Sequence, residues 1–146
     1  MAFSDDEIAY LQSQPVARLA TVNADGQPDV VPVAFELDGP YIWVGGVGPD
    51  VAKTRKLRNI GAGRTKVSLV VDDLVSMEPF IARAVRVYGD AEPPVERVGM
   101  VGPGLHSRIT PTVSWSWNLA GEPAGERWYA AKTHRAQPVT CGDLTL

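Results

Sequence analysis

A chain of 146 residues, 45% of them hydrophobic, is the size of one ordinary domain with room for a substantial core. Its formal net charge of −3 and sequence pI near 5.3 exclude the broad positive field of a general nucleic-acid binder. The single cysteine, Cys141, excludes an internal disulfide or a thiolate metal cluster. No run of about 18 apolar residues is present. The acidic start MAFSDDEIAY also differs from the basic-then-apolar pattern of a signal peptide. The expectation is a cytoplasmic protein with no membrane or nucleic-acid partner.

Ser4 and Glu7 have capping-box spacing, and Ile8 and Leu11 behind a first turn of carboxylates predict a short amphipathic helix over Asp5–Ser13, ended by Pro15. Val16–Asn23 and Pro28–Leu37 predict two strands around the turn Ala24-Asp25-Gly26. Pro32 cannot donate to a ladder, which points to an edge or a bulge and leaves backbone against which a ligand could lie. After the turn Asp38-Gly39-Pro40, a third strand over Tyr41–Gly46 runs into a glycine-rich loop.

From about Val51, the spacing of Val51, Leu57 and Ile60 predicts a helix stopped by Gly61 and Gly63. Lys53, Arg55 and Lys56 cluster in its first half, where the macrodipole disfavours cations unless an anion offsets them; the alternative is a solvated basic face. Gly45, Gly46 and Gly48 fail the dinucleotide spacing, yet they follow a strand and precede a helix. Their N–H groups could cradle a phosphate, with Thr54 as a hydroxyl donor.

Lys66–Asp73 and Arg83–Glu92 predict two further strands, and Pro93, Pro94 and Gly99–Ser107 an irregular, mobile connection. Arg108–Leu119 predicts a strand with Trp115 and Trp117 on one face, and Arg127–Thr133 a last strand or docked tail before a frayed end. Six or seven antiparallel strands, one N-terminal helix and one inserted helix make a mainly β barrel, a single domain over 1–146.

Asp5–Asp6 and Asp72–Asp73 suit turns better than acid/base work, and His106 and His134 lack a third ligand at metal spacing. An anion site without an acid, base or nucleophile belongs to a protein that only binds, or to one whose cofactor carries the chemistry.

The stretches ARLATVNADGQPDVVPVAFELDGPYIWVGG, KTRKLRNI, KVSLVVDDL, RVYGDAE and RITPTVSWSWN, in that order, resemble the pyridoxamine-phosphate-oxidase-like split β-barrel family. Within it the chain is most similar to the branch that uses the deazaflavin coenzyme F420, which includes reductases of tetracycline-type pathways. The resemblance covers about Val16 to Asn118. It implies a split barrel and a homodimer with cofactor sites at the subunit interface. It also implies a cofactor phosphate held by Thr54, Arg55 and Lys56, with Lys53 and Asn59 as further candidates. Val30, Val31, Pro32 and Val33, with Val44, Gly45 and Gly46, would line the ring, and Trp117 would reach in from the partner; Arg58 is left as a bystander. FMN oxidases of the family carry an arginine near the start of the second strand, where this chain has Asp29, and a carboxylate repels an FMN phosphate. The expectation is an F420-dependent reductase that transfers a hydride to an unsaturated small-molecule substrate. An FMN-dependent oxidase or flavin reductase and a non-catalytic flavin or deazaflavin carrier are the alternatives.

Overall fold

The computed structural model describes residues 1–137; Cys141 and the end expected to fray lie outside them. Helix α1 (Asp5–Ser13) begins as its spacing requires: the Glu7 N–H donates to the Ser4 hydroxyl, and the Glu7 carboxylate accepts from the Ser4 N–H. Phe3, Tyr10 and Leu11 on and beside this helix are buried in the core.

The strands are β1 (Val16–Val22), β2 (Pro28–Asp38), β3 (Tyr41–Gly46), β4 (Lys66–Met77), β5 (Phe80–Ala91), β6 (Val95–Gly99), β7 (Gly102–Trp117) and β8 (Ala131–Arg135). Helix α2 (Arg55–Gly61) follows a short 3-10 turn, Val51–Lys53. The order β3-β2-β1-β4-β5-β7, with β3 also paired to β7, closes a six-stranded antiparallel barrel, and β6 and β8 are added on β7. Period-two alternation sends Ala17, Leu19, Leu69, Val71, Val85 and Val87 inward. Arg18, Val70, Arg86 and Trp115 stand in register on the outside.

Closure requires β3 and β7 to approach closely. A Cβ on Gly45 would stand 2.2 Å from the Leu105 carbonyl oxygen, and one on Gly104 would stand 2.1 Å from that of Gly46. Two of the three glycines expected to cradle an anion are thus ladder residues at the seam, Gly45 opposite His106 and Gly46 opposite Leu105, while Gly48 lies in the loop after β3.

The connection expected to be irregular and mobile over Gly99–Ser107 is instead ordered as the β6–β7 hairpin, raising the strand count to eight. Glycines and prolines hide its alternation. It is also held from outside the segment, because Glu36 of β2 accepts from the Arg97 guanidinium and, at 2.8 Å, from the Met100 N–H. Strands β4 and β5 run past their expected ends by pairing with each other beyond the barrel, where Leu74, Val75 and Met77 are exposed. The last strand lies at Ala131–Arg135, displaced from the expected Arg127–Thr133.

Asp73 ties α1 to the sheet. It accepts from the Tyr10 hydroxyl at 2.6 Å and from two Arg83 nitrogens at 3.0 and 2.8 Å. The Arg83 bond holds the Asp73 carboxyl below its ordinary pKa against the opposing cost of desolvation, and the Tyr10 bond assists. Asp72, paired with Arg18, is likewise structural.

Two measurements check this account. In urea titrations, Gly104→Ala should lose roughly 1–3 kcal/mol or more through overpacking. Gly125→Ala, with nothing within 4 Å of its added carbon, should stay within about 0.5 kcal/mol of the parent. Asp73→Asn should lose about 1.5–3 kcal/mol at pH 7, the usual worth of hydrogen bonds to a charged group. Because the folded-state pKa of Asp73 is depressed, its contribution is complete above the ordinary 3.8 and fades as pH falls below it, so parent and variant should converge in acid.

Candidate functional site

Leu57 and Ile60 bury one side of α2, and this orients the rest of the helix. Arg55, Arg58 and Asn59, spaced i, i+3 and i+4, then share a face. They line a cavity of about 200 Å³ with Asn23 and Gln27 from the β1–β2 turn and Asp29 at the start of β2. The turn is set by the Asn23 side-chain oxygen, which accepts from the N–H groups of Asp25 and Gln27, each at 2.9 Å. Asn59 donates to the Thr21 hydroxyl at 2.9 Å, which fastens α2 to β1.

The structure sorts the basic run. Lys53 points to Asp50 at 3.3 Å with both side chains largely exposed, and the Thr54 hydroxyl donates to the Val51 carbonyl at 2.7 Å. Lys56 is half-buried; desolvation lowers its pKa, partly offset by the charge of Asp29. Asp29 has one carboxylate oxygen buried without a hydrogen-bond partner. Arg55 and Arg58 face the cavity, so Arg58, left as a bystander by the sequence reading, stands beside Arg55. Helical spacing carried the signal for this pair. Two guanidinium groups against one carboxylate suit a singly charged oxyanion flanked by amides.

Beside the cavity, β2 has a free edge. Residues Pro28–Ala34 pair only with β1, and β3 joins at Phe35. Pro32 sits on this stretch, where its missing N–H breaks no ladder. Val30 is 65% exposed, whereas Val33 and Val44 are buried in the core, so those two could line a ligand only through backbone. From Asp29 to Ala34 the edge runs about 17 Å at strand rise. Trp117 is not among the residues lining the cavity; it lies at the end of β7, opposite Ala84 of β5 and Ala131 of β8 and beyond the stretch that pairs with β3.

A larger cavity of about 700 Å³ lies between α1 and the end of β7 with β8, lined by Glu7, Tyr10, Arg83, Asn118, Lys132 and His134. Its arginine is already committed to Asp73. The smaller cavity, with uncommitted guanidinium groups, is the better candidate for an anion. Among the described residues no group of three His, Cys, Asp or Glu side chains converges as a metal site, and no helix is long and apolar enough to cross a membrane.

The profile of the family described as pyridoxamine 5'-phosphate oxidase matches residues 4–109. Over 92 residues the chain is 42% identical to a 5a,11a-dehydrotetracycline/5a,11a-dehydrooxytetracycline reductase of Streptomyces rimosus, a match that covers 63% of this chain and 64% of that protein. A conserved hypothetical protein of Mycobacterium tuberculosis superposes with a TM-score of 0.64 at 24% identity, over 86% of this chain and 92% of that one. A solved F420 reductase superposes with a TM-score of 0.54 at 24% identity, over 69% and 90%. These two likenesses establish the fold.

Calorimetric titration with inorganic phosphate tests the cavity. Arg55→Ala and Arg58→Ala should each weaken binding about tenfold, and Lys53→Ala should change it by less than about twofold.

Proposed function

The chain belongs to the pyridoxamine 5'-phosphate oxidase family, and on that premise we propose that it is a coenzyme F420-dependent reductase acting as a cytoplasmic homodimer. The observation that carries the reading is the cavity of Arg55, Arg58 and Asn59 at one end of the free β2 edge. The similarity to a named reductase supports the oxidoreductase class.

The residues present fit a deazaflavin cofactor. Arg55 and Arg58, partly offset by Asp29, match the single charge of a phosphodiester better than the double charge of a phosphomonoester such as FMN. The bound cofactor would supply the hydride that saturates a conjugated substrate. This chain would hold the phosphate on α2, align the ring along the unpaired backbone of β2 and keep water out with Val30 and Pro32. A second copy would bring its Trp117 to the ring.

Fluorescence titration decides the matter. F420 should bind at micromolar concentration and FMN about tenfold more weakly, and Asp29→Asn should narrow that gap by removing the repelling charge. Absence of F420 binding at micromolar concentration would defeat the reading.

A further inference from the structure

Four arginines of the described residues stack on aromatic rings. Three of them also hold a carboxylate: Arg83 over Tyr10 binds Asp73, Arg97 over Trp43 binds Glu36, and Arg108 over Tyr41 binds Glu92. Arg86 is the exception. Its guanidinium carbon lies 4.2 Å from the centre of the Trp115 ring and 5.4 Å from those of both Trp117 and Tyr88. Tyr88 meets Trp115 edge-on at 4.8 Å. Every carboxylate of β4 and β5 is engaged elsewhere, Asp72 by Arg18, Asp73 by Arg83 and Asp90 by Lys66. The Arg86 Nε is buried with no hydrogen-bond partner.

Three rings thus hold a flat guanidinium whose charge meets no carboxylate within the described chain. Such a fork recognises a carboxylate or enolate, and the adjoining rings accept a planar ligand edge-on or offset-stacked. A neutral ligand would use the rings and leave the charge unmatched. A compact inorganic anion would use the charge and leave the rings idle.

We propose that Arg86, Tyr88, Trp115 and Trp117 bind a planar conjugated organic anion, and that this anion is the substrate. The identity of the occupant as substrate rests on the reductase reading; the anion site does not. In the homodimer, a Trp117 that reaches the cofactor ring would bring Arg86 of the same cluster with it, which would place the anion beside the ring.

Naphthoate and naphthylmethanol, equal in ring and different in charge, are the probes, read by quenching of tryptophan fluorescence. The parent protein should bind naphthoate about tenfold more tightly than the alcohol, and Arg86→Gln should abolish the preference. Salt supplies a measurement that needs no variant: raising it from about 50 to about 500 mM should weaken naphthoate and spare the alcohol. Equal binding of the two probes, a preference that survives Arg86→Gln, or no salt effect would overturn the proposal. So would a dimer by sedimentation that binds neither probe, since a second copy would then cover the rings. F420 titration of the same preparation separates the two readings: a charge preference without cofactor binding upholds the site and defeats the reductase, and cofactor binding without the preference does the reverse.

Discussion

The barrel closes where β3 meets β7, and the closure depends on two positions that carry no side chain. A methyl group at Gly45 or Gly104 would meet backbone at little more than 2 Å, so the strands can pair only as glycine. Much else follows. β3 pairs with β2 from Phe35 to Asp38 and with β7 from Ile42 to Gly46, and this division leaves Pro28–Ala34 with a single neighbour. The free edge and the chain leaving β3 toward α2 are both products of the seam. Leu57 and Ile60, buried in that helix, then turn Arg55 and Arg58 toward the β1–β2 turn.

Electrostatic pairing separates structure from site. Arg18 and Arg97 hold carboxylates more than fifty residues away, and Arg83 and Arg108 hold nearer ones at ten and sixteen residues; these contacts fasten α1, the β6–β7 hairpin and the sheet. Arg55 and Arg58 at the cavity and Arg86 on the outer face have no such partner among the ion pairs of the described residues. Arg86 is partly buried with an unpartnered Nε, a costly state unless a ligand supplies a counter-charge, whereas Arg55 and Arg58 are exposed and free to meet an anion. The two places so marked lie at the two ends of the proposed chemistry, one suited to a phosphate and the other to a conjugated anion.

Much of this was legible in residues close together along the chain. The Ser4–Glu7 capping box and the alternation in VARLATV depend on neighbours a few positions away, and both elements formed where expected. Pro32 announced an edge because a missing N–H is a local fact. The basic run was harder to read. Lys53 is occupied by Asp50 only three residues off, while the role of Arg58 depended on which face of a short helix the barrel would bury. Glycine was read as anion cradle when its use at Gly45 was to admit a strand some sixty residues later.

The sequence alone therefore determined the capping, the alternating strands, the barrel class and the family resemblance, since propensity, periodicity and motif order act over short spans. The tertiary structure decided which glycines are seam, which arginines are spent and which strand edge is left open. Those outcomes depend on pairing between residues far apart in the chain, such as Gly46 with Leu105 and Glu36 with Arg97, and no local pattern encodes which distant backbone or carboxylate arrives.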